Sequence, residues 1–109
     1  MKRGEIWWVD CDPSVGGEAR KTRPCIIVSA DIFNRNLNRV QVVPCTSNTE
    51  KIYPGEASIQ IPTIGQRKAT CNLILTASLL RFKTRIGALS PEDMRAVEAA
   101  LRVQLDLSE

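Results

Sequence analysis

An arginine and a threonine in the first half of the chain have side chains suited to binding a phosphodiester. Arg23 stands just before one apolar, strand-like run, and Thr46 stands just after another, with Ser47 and Asn48 beside it. If these strands pair antiparallel, the guanidinium and the hydroxyl meet at one edge. A guanidinium binds two phosphate oxygens at once, and a hydroxyl can stabilise a developing oxyanion. The pattern therefore predicts a phosphodiester site.

The nucleophile for such a site is expected to come from the substrate. The chain has no histidine, which excludes a histidine acid/base pair and any histidine-based metal site, and its four cysteines lack C-x-x-C spacing. We therefore expect no metal and no cofactor. The ribose 2′-OH of RNA is the obvious nucleophile, and DNA lacks it. Glu18 is the preferred general base because arginine stays protonated, so Arg23 is assigned to charge stabilisation and, late in the reaction, as a candidate proton donor.

Charge is concentrated in the loop between the first two predicted strands, Asp12 to Thr22. A charged loop on a rigid scaffold is typical of functional sites, although a solvated surface loop fits the spacing equally well. Basic side chains here and later in the chain could line an RNA path, with plain solubility as the alternative for each. These are Arg20, Lys21, Lys51, Arg67 and Lys68. Asn48, Tyr53 and Gln66 are candidate base readers, by hydrogen bonding or stacking.

Short alternating runs separated by turn residues predict an antiparallel α+β fold. The predicted strands are Glu5–Asp10, Cys25–Ser29, Arg39–Cys45, Ala57–Ile61, one within Lys68–Thr76, and Ile86–Leu89, with one helical turn at Asp31–Asn36. Ser90-Pro91-Glu92-Asp93 predicts the start of a terminal helix, because serine caps, proline suits the first position and acids favour the positive end. The apolar stripe of this helix is Met94, Val97, Leu101 and Leu105. Trp7 and Trp8 should point to opposite faces of the first strand, one into the core and the other either partly buried without a ligand, on a stacking surface or in a dimer contact.

Length and composition fit one domain over residues 1–109. Apolar residues make up 43% and charged residues 25%, and the net charge of +3 permits a polyanionic partner without requiring one. The cysteines, at positions 11, 25, 45 and 71, are expected to be buried structural thiols. The first residues lack the apolar region of a signal peptide, and no apolar run approaches membrane-spanning length, so we expect a cytoplasmic protein without membrane contact.

Three groups of residues, in order along the chain, resemble the MazF/PemK family of toxin ribonucleases. They are GEIWWVD with the following Gly-Gly-Glu and Lys-Thr-Arg-Pro, then Val43–Asn48, then Leu89–Met94. The resemblance implies a small SH3-like β-barrel used as a homodimer and neutralised by a MazE-like antitoxin. It also implies metal-independent, sequence-specific cleavage of single-stranded RNA, leaving a 2′,3′-cyclic phosphate and a 5′-OH and inhibiting translation and growth. Arg23 and Thr46 match the family's catalytic arginine and threonine.

One segment departs from the family pattern. Many relatives place an acid just after the strand that matches Leu73–Leu75, whereas this chain has Thr76-Ala77-Ser78. A different base, a slower enzyme or altered specificity would each account for it. Two other functions remain open at this point: a non-catalytic toxin like CcdB, which acts on gyrase with a related fold, and a nonspecific RNA-binding barrel.

Overall fold

The computed structural model describes residues 1–11 and 22–108, and every statement about structure below concerns these residues. The strands are β1 Glu5–Asp10, β2 Thr22–Ile27, β3 Arg39–Thr46, β4 Glu56–Ile61, β5 Gly65–Thr70, β6 Leu75–Ser78 and β7 Phe82–Ala88. The α-helices are α1 Asp31–Asn36 and α2 Pro91–Leu105, and single 3-10 turns occupy Cys71–Leu73 and Leu79–Arg81.

Strand β3 pairs with three other strands of the sheet. One of its edges pairs with β2, and the other pairs with β6 along its first half and with β5 at its last two residues. The continuous order is β4-β5-β3-β2-β1-β7, with β6 off this path, and every pairing is antiparallel. The sheet curls into a half-barrel with the helix α2 packed against it, which confirms the predicted antiparallel α+β fold class.

Both faces of the sheet are covered by apolar side chains, because neighbouring residues on a strand point to opposite sides. On β2, Ile26 belongs to the cluster that packs under α2, whereas Cys25 and Ile27 belong to a second cluster on the other face. Trp7 packs against this second cluster, its ring 5.7 Å from that of Phe82 in an edge-to-face arrangement. Two buried faces explain why the central strands read as nearly continuous apolar runs.

Helix α2 begins as the sequence predicts. The Ser90 hydroxyl accepts a hydrogen bond from the backbone N–H of Asp93, and Pro91 opens the first turn. Asp93 in turn accepts a bond from the backbone N–H of Gln60, which fastens the helix start to β4. Val97 is fully buried and Met94 and Leu101 pack beside it, which confirms most of the stripe, but Leu105 is 48% exposed.

Several predicted strand boundaries were wrong. Strand β2 begins at Thr22 rather than Cys25, because its pairing with β1 extends past Pro24. Its pairing with β3 reaches only Cys25. The missing N–H of Pro24 therefore costs no hydrogen bond on the edge that faces β3. The single strand expected within Lys68–Thr76 is two strands, β5 and β6, separated by the turn at Cys71–Leu73. Strand β7 begins at Phe82, well before Ile86, and ends at Ala88.

No helix within residues 1–11 and 22–108 is long and apolar enough to cross a membrane. The burial predicted for the cysteines is confirmed for all four.

Candidate active site

Strands β2 and β3 bring Arg23 and Thr46 to one cleft. Cys25 pairs with Pro44 and Ile26 with Val43, so the same antiparallel register continued by two residues places Arg23 beside Thr46. Both side chains, together with Ser47, line a cleft of about 300 Å³. Arg23 lies within β2 and is therefore extended, as expected for a residue before proline.

The cleft is positively charged. Arg67 of β5 lines it together with Arg23, and none of its described lining residues is acidic. Trp8, whose Cα is the register partner of that of Pro24, forms an aromatic part of the wall. Two guanidinium groups beside hydroxyl and aromatic side chains suit a phosphate with an attached base.

The Thr46 hydroxyl is positioned by a hydrogen bond from the backbone. Its oxygen accepts a hydrogen bond from the backbone N–H of Asn48, at 3.3 Å, across the turn that follows β3. Because this bond uses a lone pair, the hydroxyl proton stays available for a ligand oxygen. Thr46 is half-buried and Ser47 is exposed, so the two hydroxyls differ in how firmly they are placed.

A second pocket of about 350 Å³ follows directly along the chain from Thr46. Its lining residues are Asn48, Glu50, Lys51, Tyr53 and Lys68. Lys68, predicted as a cation along an RNA path, is only 8% exposed. Its ammonium lies 3.3 Å from a Glu56 carboxylate oxygen and donates to the backbone carbonyl of Lys51 at 3.1 Å. The charge of Lys68 is therefore already neutralised inside the protein.

The remaining predicted residues have varied positions. Glu18, Arg20 and Lys21 lie outside the described residues. Gln66 is exposed and donates to the Ser58 hydroxyl. Thr76 pairs with Gln41, five residues before Thr46, and therefore lies about 17 Å away along β3. Thr76 does not reach the cleft, so the departure from the family pattern at this position does not alter the group around Arg23.

Cys45, in the wall of the cleft, is not a candidate nucleophile. Burial raises the pKa of the Cys45 thiol well above its usual range. The pKa of Cys25, behind it, is also raised, by a hydrogen bond to Cys11 at 3.5 Å and by burial. Both side chains therefore remain thiols at neutral pH and are unsuited to nucleophilic attack.

Within residues 1–11 and 22–108, no group of three or more His, Cys, Asp or Glu is arranged to hold a metal ion.

Two contributions were not predicted from the sequence. Trp8 was assigned to a stacking surface or a dimer contact only as one of two adjacent tryptophans, and its pairing with Pro24 is what places it in the cleft. Glu56, the partner of Lys68, was not considered at all. The available signal was its position directly after the Pro54-Gly55 turn, where Gly55 adopts a φ of +85°.

Comparison with known proteins gives the same assignment along nearly the whole chain. Residues 2–105 match the model of the PemK-like, MazF-like toxins of type II toxin–antitoxin systems. Endoribonuclease MazF9 of Mycobacterium tuberculosis is 37% identical, with 98% of each chain covered. The endoribonuclease toxin MazF of Escherichia coli K12 is 28% identical over 92% of this chain and 89% of its own.

The fold has a solved counterpart as well. A mycobacterial endoribonuclease, in complex with its cognate antitoxin, superposes with a TM-score of 0.82 at 22% identity, covering 100% of this chain and 98% of the other. The resemblance found in the sequence is thus confirmed by the family match. The chain belongs to the PemK-like, MazF-like toxins of type II toxin–antitoxin systems.

Proposed function

We propose that this protein is the endoribonuclease toxin of its toxin–antitoxin system and cleaves single-stranded RNA at specific sequences without a metal ion. The observation that carries this proposal is the cleft in which Arg23, Thr46, Ser47 and Arg67 converge. Its relatives named endoribonucleases support the reaction class. The functional unit is residues 1–109 as a single domain.

The ribose 2′-OH attacks the adjacent phosphorus, the bond to the 5′-oxygen breaks, and the products are a 2′,3′-cyclic phosphate and a 5′-OH. Arg23 binds two non-bridging oxygens and offsets the charge that develops on them. Thr46, whose oxygen already accepts from Asn48, directs its proton to one of the same oxygens. Arg67 adds positive charge on the opposite wall of the cleft.

Two proton transfers complete the reaction. A base removes the proton from the 2′-OH, and an acid supplies one to the departing 5′-oxygen. Glu18 is our candidate base, because a carboxylate can accept the proton of the 2′-OH and Glu18 lies between β1 and Arg23 in the sequence. Arg23 is the candidate donor to the leaving oxygen. Arg20 and Lys21 on the same loop, and Lys51 nearby, would then contact neighbouring phosphates.

A MazE-like antitoxin would neutralise the toxin by occupying the basic cleft with an acidic, initially disordered segment. One relative of the same fold has been solved with its cognate antitoxin, which supports this expectation. We further propose that the protein acts in the cytoplasm, where its RNA substrate is present, and that it functions as a homodimer.

The decisive experiment is incubation with a long single-stranded RNA, with and without EDTA, followed by gel electrophoresis and end analysis. We expect cleavage in both samples and a 2′,3′-cyclic phosphate at the new 3′ end. Activity lost with EDTA and restored by a divalent ion would overturn the metal-free mechanism. A shifted but intact RNA would instead identify a binding protein.

The reaction class has its own control. An RNA carrying a single 2′-deoxy substitution at the cleaved nucleotide lacks the proposed nucleophile and should stay intact at that site. Cutting there at the usual rate would contradict ribose attack.

A further inference from the structure

We propose that the pocket lined by Asn48, Glu50, Lys51, Tyr53 and Lys68 binds one nucleobase next to the cleaved bond and sets part of the RNA sequence preference. Below it is called the tyrosine pocket. This inference rests on the proposed function and adds the site that reads a base.

The tyrosine pocket lies close to Thr46. Asn48 is two residues after Thr46, and two residues of chain span at most about 7 Å. The Asn48 N–H also donates directly to the Thr46 hydroxyl. A phosphate held by Arg23 and Thr46 would therefore place a flanking base within reach of the tyrosine pocket, because neighbouring phosphates in a nucleic acid strand are only several ångströms apart.

The pocket is built on a rigid anchor. The Lys68 ammonium contacts the Glu56 carboxylate, the Lys51 carbonyl and, at 5.9 Å from its centroid, the Tyr53 ring. The same Glu56 oxygen accepts from the Tyr53 backbone N–H at 2.8 Å. A buried ion pair therefore fixes the segment on both sides of the ring, and the binding surface is preorganised rather than formed by the ligand.

Tyr53 presents an unused aromatic surface. The residue is 57% exposed although its neighbours hold its backbone and its ring in place. A cation on one side of the ring leaves the rest to stack with a base, an interaction typical of proteins that recognise single-stranded RNA. Burial in the core does not account for this ring, which is exposed while Lys68 and Glu56 hold its residue in place.

The polar groups of the pocket can hydrogen-bond to the edge of a base. Glu50 offers a carboxylate acceptor and Lys51 an ammonium donor, while the side-chain oxygen Oδ1 of Asn48 already accepts from the Glu50 backbone N–H at 3.4 Å. An acceptor beside a donor matches cytosine, adenine or guanine, each of which presents an amino group next to an acceptor. Uracil, whose N3–H lies beside a carbonyl oxygen, can form the same pair of hydrogen bonds, so this pair of side chains recognises the edge of a base without excluding uracil.

The test compares Tyr53→Ala, Tyr53→Phe and Glu50→Gln with the wild type on a randomised single-stranded RNA and on one preferred oligonucleotide. Phe33→Ala is the matched control, because Phe33 is equally exposed, at 59%, on the separate helix α1. Loss of one stacked base should raise KM for Tyr53→Ala by about fivefold to a hundredfold, with kcat changed far less. The base preference should flatten at one nucleotide position only.

The other variants sharpen the result. Tyr53→Phe keeps the ring and should behave as the wild type, and Glu50→Gln should shift the preference at the same position, since an amide can also donate. Phe33→Ala should leave both KM and the cleavage pattern unchanged. A folded Tyr53→Ala protein with wild-type KM and an unchanged pattern would overturn the proposal. If Tyr53→Ala does not fold by circular dichroism, Glu50→Gln decides, and an unchanged preference overturns the proposal.

A binding measurement separates this inference from the proposed function. The affinity for an oligonucleotide with a 2′-deoxy group at the cleaved position can be followed by fluorescence anisotropy. Weaker binding by Tyr53→Ala supports the tyrosine pocket even if the wild type were to cut no RNA, an outcome that would refute only the proposed activity. Equal affinity for both proteins, beside normal cleavage by the wild type, refutes the pocket alone.

Discussion

Two consecutive cations on β5 serve different purposes, and the alternation of side chains along the strand is the reason. Arg67 points to the cleft and stays half-exposed, so its guanidinium is accessible to a phosphate. Lys68 points inward and forms an ion pair with Glu56, so its charge supports the protein itself. A cation's identity and position in the sequence do not distinguish these two roles, whereas its burial and its partner do.

At Arg23 we expect the largest effect of a single substitution. Arg23→Ala should slow single-turnover cleavage of a preferred RNA by about a hundredfold to a thousandfold, the typical cost of losing an electrostatic stabiliser. Arg23→Lys should not restore the full rate, because an ammonium keeps the charge but loses the planar fork. Arg35→Ala, an exposed arginine on α1, is the control. A folded Arg23→Ala protein that cuts at the wild-type rate would remove Arg23 from the site.

Thr46 should contribute less than Arg23. Thr46→Ala removes the hydroxyl that accepts from Asn48, but Ser47 lines the same cleft and can substitute in part. Thr46→Ser keeps the hydroxyl and should retain most of the activity. Single-turnover rates on one oligonucleotide give the order wild type, Thr46→Ser, Thr46→Ala, Arg23→Ala, and a reversed order of the last two would contradict it.

The proximity of Arg23 and Thr46 could be predicted from the sequence, because each residue stands at the boundary of a strongly apolar strand and such strands pair. It did not allow the fate of Lys68 to be predicted. Glu56 and Lys68 meet because β4 and β5 pair with Glu56 opposite Thr70 and Ser58 opposite Lys68. That register depends on the whole hairpin, so the neighbours of Lys68 in the sequence contain no sign of its partner.

At the scale of elements, the Lys68–Glu56 ion pair holds the β3–β4 connection against β5. Lys68→Met should lower the free energy of unfolding by about 3–5 kcal/mol, because it leaves a nearly buried carboxylate without its partner. Lys68→Met combined with Glu56→Gln should recover part of this loss, since the glutamine oxygen still accepts from Tyr53. Urea unfolding of the four proteins gives the coupling energy, and strictly additive effects would rule out the coupling.

Glu5 makes the strand β1 sensitive to acid. Burial acts to raise the pKa of Glu5, but hydrogen bonds from Trp7, Lys2 and Arg85 outweigh it and hold the pKa below its usual range. A lowered pKa stabilises the fold above the ordinary glutamate value, about 4.3, and this stabilisation is lost as the pH falls through the folded-state value.

Glu5→Gln should therefore be less stable than the wild type at neutral pH, and the difference should shrink once the pH falls below about 4.3. Urea unfolding of both proteins at several pH values tests this, with the exposed Glu92→Gln as the control for the loss of one negative charge. A difference that stays constant down to the lowest pH would show that Glu5 acts by packing alone.

The division of one expected strand into β5 and β6 illustrates what local pattern misses. The apolar run Leu73-Ile74-Leu75 lies within the single strand predicted for Lys68–Thr76, yet Leu73 is in a 3-10 turn and is 54% exposed. Before the turn, β5 pairs with the last two residues of β3, and after it, β6 pairs with the first four residues of β3. Apolar runs indicate burial, whereas which part of a neighbour a strand contacts is decided by the curvature of the sheet.

At the scale of the molecule, we predict a homodimer. The chain is small, and several large apolar side chains around the end of α2 and the turn before β6 remain exposed. They are Leu73, Val103, Leu105 and Leu107. Trp8, an earlier candidate for the dimer contact, instead lines the cleft. Analytical ultracentrifugation across micromolar concentrations should give twice the mass of one chain, and a monomer throughout would contradict this.

The pairing of β1 with β7 has a consequence for how the protein forms during translation. Glu5 and Ala88 are register partners, so the first strand of the chain cannot complete its pairing until the seventh has left the ribosome. Helix α2, which covers one face of the sheet, follows later still. Because domains fold as units and distant pairings form slowly, we expect the nascent chain to gain its native structure only after β7 and α2 have left the ribosome. A nascent chain that still lacks β7 and α2 therefore could not act on the message being read.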